Sequence, residues 1–170
     1  ADILEKSMYN GALAGVSLSG DRFFYVNPLY SKGDHHRREW YGTACCPSQI
    51  TRFLPSIGGY VYALSDQTLW INLYVGSRTT VNLAGTETEI IQNTLYPWEG
   101  RDEITVNPQK AVEFSLRLRI PGWCNNYSVS INGKESAYTT DKGYLVITRL
   151  WNKGDLVEFG MDMPVRTVSA

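Results

Sequence analysis

The chain predicts a mainly β protein: an antiparallel β-sandwich or jelly roll, preceded by one or two helices. Three observations carry that expectation. From Tyr60 onward, short apolar or alternating segments recur, separated by turn signals. Phe114, Leu116, Leu118 and Ile120 alternate with Ser115, Arg117 and Arg119, the pattern of a strand with one buried face. Helical spacing of apolar residues shows only before Gly59.

Taken in order, residues 2–14 read as a helix, with Ile3, Leu4, Ser7, Met8, Gly11 and Ala12 on one face. Asp2 is the expected N-cap, with Glu5 completing a capping box, and Gly15 the expected stop. Residues 16–26 read as two short strands around a Gly20-Asp21 turn. Asn27-Pro28-Leu29 breaks the second strand, and residues 31–39 are polar and loop-like. Pro47 then suits the first turn of a helix, where its missing N–H costs nothing. Ile50, Phe53, Leu54 and Ile57 continue at helical spacing. Pro55 should bend or end that helix, and Gly58-Gly59 should close it.

Strands are expected at 60–63, 68–74, 78–83, 86–93, 104–106, 111–120, 128–131, 144–149 and 156–161. The turns between them are Ser65-Asp66, Ala84-Gly85, Asn107-Pro108, Asn132-Gly133, Lys142-Gly143 and Lys153-Gly154-Asp155. Asn132-Gly133 is the type I′ hairpin signal. Residues 1–59 are too few for a core of their own and read as the edge of a larger domain. Residues 60–170 can form a sandwich by themselves.

The charge balance excludes one class of partner. With 16 basic and 17 acidic residues and no basic stripe, the chain lacks a nucleic-acid footprint. No apolar run is long enough to span a membrane as a helix. Eleven Tyr and five Trp suit a sandwich core, and also the stacking of sugar C–H faces on rings.

The three cysteines hold the chemistry. Cys45 and Cys46 are adjacent, which strains any bridge between them, and Cys124 leaves the count odd. A disulfide framework is therefore not expected; free thiols lean toward a reducing bacterial cytoplasm, with a periplasmic or secreted parent as the alternative. Cys45 and Cys46 fall where a loop enters a helix, and oriented N–H groups there favour thiolate. Spacing alone leaves burial, metal ligation and nucleophilic attack open for the pair. Zinc needs four ligands, and the local sequence offers two thiols, with His35, His36 and Glu39 as nearby candidates. Cys124, in Gly-Trp-Cys-Asn, reads as a structural sandwich residue. Trp98 and Trp123 read as core, with sugar contact as the alternative.

Cys-Cys-Pro-Ser-Gln-Ile-Thr-Arg-Phe-Leu (45–54) followed by Gly-Gly-Tyr-Val-Tyr-Ala (58–63) resembles the signature of the bacterial β-L-arabinofuranosidases of glycoside hydrolase family 127. Tyr9-Asn10, Leu13-Ala14-Gly15-Val16, Phe24-Tyr25-Val26-Asn27-Pro28-Leu29, Arg38 and Trp40 agree with the end of that family's helical barrel. Asn72-Leu-Tyr74, Tyr96-Pro-Trp98, Arg119-Ile-Pro-Gly-Trp123, Gly154-Asp155 and Met163-Pro164-Val165 agree with its sandwich. The resemblance implies a boundary near Gly59, with residues 1–59 the last part of an (α/α)6 barrel and 60–170 a β-sandwich.

The resemblance also implies a retaining exo-glycosidase acting on terminal β-L-arabinofuranosides of plant-derived, arabinose-containing glycans. Cys45 would be the nucleophile. Cys45 and Cys46 would both be ligands of a Zn2+ ion. The family's acid/base glutamate, and the Glu and Cys completing the zinc site, match no segment here. Neither Glu5 nor Glu39 has the right surroundings. The expectation is a piece of such an enzyme that is inactive alone. Two other readings stay open: a non-catalytic carbohydrate-binding sandwich, and a purely structural one that closes the barrel.

Overall fold

A computed structural model describes residues 1–26, 28–43 and 45–167; Asn27, the expected strand breaker, and Ala44 lie outside the described residues. The chain divides into two compact units, Ala1–Gly59 and Tyr60–Ala170. No helix among the described residues is long and apolar enough to cross a membrane, which leaves membrane β-barrels unaddressed.

In the first unit, α1 (Asp2–Ser7) runs on through a π-helical stretch, Met8–Ala12, and a 3-10 turn, Leu13–Gly15. It ends where Val16 turns extended, at φ −99 and ψ 141. Asp2 is not the N-cap. Ala1 takes that place without a side-chain cap, and its carbonyl accepts the Glu5 N–H at 2.9 Å. The helix thus starts one residue early, and Asp2 becomes a first-turn acid favoured by the helix dipole.

The two strands expected at 16–26 form only single bridges, Val16 with Phe23 and Phe23 with Arg38. Between them, Ser17, Ser19 and Asp21 hydrogen-bond to one another, and Gly20 takes φ +77. Backbone bonds from the Ser17 N–H to the Arg22 carbonyl at 2.8 Å and from the Phe24 N–H to the Gly15 carbonyl at 2.9 Å still tie the two arms together. Helix α2 (Cys46–Ser56) has Pro47 in its first turn and Pro55 inside its last. Gly58-Gly59 does not close the segment: it starts another short helix, α3 (Gly58–Val61).

The second unit is a β-sandwich, as the sequence predicts. One sheet has the order β1 (Tyr62–Ser65), β2 (Thr68–Ile71), β6 (Val112–Arg119), β10 (Tyr144–Trp151), β9 (Thr139–Asp141). The other runs β3 (Ser77–Leu83), β4 (Thr86–Thr94), β5 (Arg101–Pro108), β11 (Asp155–Met161), β7 (Tyr127–Ile131), β8 (Lys134–Glu135). Pairing is antiparallel except between β2 and β6. That parallel pair follows because three strands of the other sheet intervene before the chain returns. Leu69, Ile90, Ile104, Leu116, Leu118, Leu145, Val157 and Phe159 are all fully buried, and Trp151 joins them.

The turns explain the register. Ala84-Gly85, Asn132-Gly133 and Lys142-Gly143 each place two successive residues at positive φ, the requirement of a type I′ hairpin. Four details differ from the sequence reading. Asn107-Pro108 is not a turn but the end of β5, where Pro108 costs no ladder bond. The first strand starts at Tyr62 rather than Tyr60, because α3 takes the residues before it. The short strands β8 and β9 were not expected. Arg119, read as outward-facing, is buried; its guanidinium donates to the Asn72 carbonyl at 2.6 Å and lies over the Tyr74 ring.

Candidate active site

The sequence places Cys45 and Cys46 at a helix entry, and the structure puts them there. Cys45 is the N-cap of α2 and Cys46 its first residue. Ser48 Oγ donates to the Cys45 carbonyl at 2.7 Å, and the Gln49 N–H reaches it at 3.3 Å, fixing the first turn. Both thiols are free; Cys45 is exposed and Cys46 half-buried.

The extended segment before the helix supplies the partner. Tyr25 Oη lies 3.4 Å from Cys45 Sγ and donates to it when the sulfur is thiolate. Cys46 Sγ points to the Tyr25 carbonyl at 3.9 Å. Tyr25 is itself braced by Tyr41, with ring centroids 5.5 Å apart. Tyr41 packs on Phe23 at 5.3 Å and donates its hydroxyl to the Phe23 carbonyl at 3.2 Å.

This arrangement separates two chemically identical groups. The Tyr25 hydroxyl, and then the Cys46 thiol, hold Cys45 below the ordinary thiol pKa. Desolvation, followed by the hydrogen bond and charge of Cys45, pushes Cys46 up. The Cys45 sulfur in turn raises the Tyr25 phenol. The pair therefore carries one thiolate before two, and that thiolate is on the more exposed sulfur. Sequence reading missed Tyr25 as a member of this cluster. Its signal was only an aromatic in a Phe-Phe-Tyr run, and nothing in spacing ties it to a cysteine 20 positions later.

His36 is exposed, and the other two candidates are engaged elsewhere. His35 donates from Nε2 to the Val26 carbonyl at 2.7 Å and stacks on Phe24 at 4.8 Å. Glu39 pairs with Arg22 at 2.7 Å. Among the described residues, no three His, Cys, Asp or Glu side chains gather around a common point. The donor set of this unit fits zinc in kind, two soft thiols side by side, but supplies two ligands where zinc takes four.

Cys124 is buried in the sandwich and donates to the Asn126 carbonyl at 3.1 Å, with burial raising its thiol. Trp123 is half-buried and stacks on Tyr96 at 6.3 Å. Trp98 is not a core residue: it is 84% exposed.

Comparison with known proteins decides the family. The "Beta-L-arabinofuranosidase, GH127 middle domain" profile matches residues 68–163, and the "GH127 catalytic domain" profile matches residues 1–59. The chain belongs to the GH127 β-L-arabinofuranosidase family. A non-reducing end β-L-arabinofuranosidase of Bifidobacterium longum subsp. longum is 36% identical over 189 residues, covering 100% of this chain. The solved structure of a GH127 β-L-arabinofuranosidase from Geobacillus stearothermophilus T6 superposes with TM-score 0.89 at 40% identity, over 99% of this chain. A second GH127 β-arabinofuranosidase structure gives 0.86 at 40% identity, over 96% of this chain. The chain spans 28% of the Bifidobacterium relative and 29% and 28% of the two solved chains. Within the GH127 frame, the Cys45–Cys46 turn falls in the part matched to the catalytic domain, and the sandwich is the middle domain.

Proposed function

We propose that this chain is part of a retaining exo-glycosidase that removes terminal β-L-arabinofuranose from arabinose-containing plant glycans, with Cys45 as nucleophile. The supporting observation is the Tyr25–Cys45 hydrogen bond, which favours thiolate on the exposed sulfur of the pair. GH127 membership supports the reaction class, and the β-L-arabinofuranosidase activity of its relatives supports the sugar.

The reaction balances in two steps. Cys45 Sγ attacks the anomeric carbon as the bond to the leaving oxygen breaks, and that oxygen takes a proton from a carboxylic acid. Water then attacks the same carbon, gives its proton to the carboxylate, and Cys45 leaves as thiolate. Two inversions give net retention. The acid/base carboxylate and two zinc ligands are assigned to the rest of the parent. Cys45 and Cys46 would hold Zn2+ there, and its charge would keep both sulfurs deprotonated. Tyr25 holds the Cys45 sulfur through its hydroxyl. On this reading the 170-residue chain alone is inactive.

Release of 4-nitrophenol from its β-L-arabinofuranoside tests the reading. It is measured on a parent extended upstream, on Cys45→Ala in that parent, and on this chain. The expected outcome is turnover by the parent and a loss of at least about a thousandfold in Cys45→Ala, typical for removal of a nucleophile. No turnover is expected from the short chain. Full activity of Cys45→Ala, or turnover by the short chain, overturns it.

A further inference from the structure

The outward face of the β3–β8 sheet carries a hollow of about 400 Å³, a size within the usual range of small-molecule sites. All of its lining residues belong to the sandwich unit. Its floor is a gap in the side-chain pattern. Gly160 of β11 pairs with Ser128 of β7, so two positions that normally raise side chains raise almost none. A Cβ on Gly160 would stand 2.7 Å from Ser128 Oγ, so the depression depends on that glycine.

Polar groups on one side are held in place. Ser130 Oγ donates to Glu158 at 3.0 Å, and the Arg101 guanidinium bonds Glu158 and also Glu103, the latter at 2.9 Å. Glu135 stands opposite Ser130 across the β7–β8 pair. On the other side stands Tyr138, 42% exposed, its ring centroid 6.1 Å from Tyr127, whose own ring packs on the core beside Phe159. The hollow thus offers carboxylates that accept from hydroxyls, a guanidinium that donates, and ring surface for C–H groups.

Charge narrows the ligand. The lining holds one guanidinium against two carboxylates, Glu135 and Glu158, and that guanidinium also pairs with Glu103, so phosphates, nucleic acids and acidic sugars are disfavoured. We infer that this hollow binds a neutral glycan of one or two sugar units, through residues of the sandwich alone. The choice of arabinose as probe rests on the proposed function; the recognition chemistry does not.

The test is calorimetric titration of the 170-residue chain with L-arabinotriose, with inorganic phosphate as the anionic comparison. Saturable sugar binding is expected, at least about tenfold weaker in Tyr138→Ala and in Glu135→Gln, and unchanged in Cys45→Ala. Tyr138 and Glu135 are both exposed, so these variants should fold, and circular dichroism checks that they do. No saturable sugar binding by the folded chain, equal binding by both groove variants, loss of binding in Cys45→Ala, or tighter binding of phosphate overturns the inference. A parent that hydrolyses nothing in the 4-nitrophenol assay leaves this titration unaffected, so the two readings fail separately.

Discussion

The two units bury their apolar residues very differently. In the sandwich, nearly every inward position of β4, β5, β6, β10 and β11 is closed to solvent. Among the described residues of the first unit only Met8 and Phe23 are buried hydrophobics, while Ile3, Leu18, Leu29, Tyr30 and Trp40 are largely exposed. Helix α2 has an apolar face but no buried residue. The unit that holds the adjacent thiols is therefore the one with few buried apolar residues. The adjacent thiols and the buried core lie in different units.

Core truncation should expose that division with the largest effect. Trp151 is fully buried, donates its indole N–H to the Phe114 carbonyl at 3.0 Å, and stacks on Phe114 at 5.4 Å. Trp151→Ala should cost about 3–5 kcal/mol by urea unfolding, lost ring packing and an orphaned carbonyl together. Phe53→Ala, on the half-buried face of α2, should change the same transition by less than about 1 kcal/mol. Comparable losses from both would mean that α2 shares the sandwich's cooperative unit, and the comparison above would break.

An intermediate effect should come from inside the sandwich. Asp102 is fully buried on β5, neither carboxylate oxygen has a hydrogen-bond partner, and the nearby Gln92 Oε1 also lacks one. Gln92 sits across Ile104 on β4, one diagonal step away on the same inward face. Burial, and then the charge of Glu103, push Asp102 up to about 7 from 3.8. The fold therefore prefers the protonated form. The sign follows: stability is full below the unfolded value, falls as pH rises from about 4 to about 7, and falls no further above that. At about 1.4 kcal/mol per pH unit the loss is on the order of 4 kcal/mol. Asp102→Asn should remove most of that slope and be more stable than the parent chain near neutrality. Parallel pH profiles for the two would show that Asp102 is charged and paired in the fold.

The same contrast decides what was legible in the sequence. Strands were legible because alternation and type I′ turns are local: Phe114, Leu116 and Leu118 point inward, and Asn132-Gly133 turns where its dipeptide says. Arg119 and Asp102 were not. An arginine buried over Tyr74 and an aspartate buried without a partner break the polar-out rule for tertiary reasons, which a period-2 reading cannot contain. In the first unit the helix entry at Cys45 was legible from Pro47, since a proline in a first turn is a local signal. The hydrogen bond from Tyr25 was not, because the loop that brings it back carries no periodic pattern.

That hydrogen bond gives the smallest effect and the sharpest one. Tyr25→Phe keeps the ring against Tyr41 and removes only the hydroxyl that faces Cys45. The largest influence lowering the Cys45 thiol disappears, so its pKa moves back up and its thiolate fraction near pH 7 falls. Alkylation by iodoacetamide, read site by site by mass spectrometry on metal-free chain, should slow severalfold at Cys45. Cys46 should lose its lead partner's charge and move slightly the other way, because the thiolate that raises it is less populated. A uniform change at both cysteines would point to altered access of the whole turn. Opposite changes can arise only if Tyr25 selects which of two adjacent sulfurs carries the charge, the selection a single nucleophile requires.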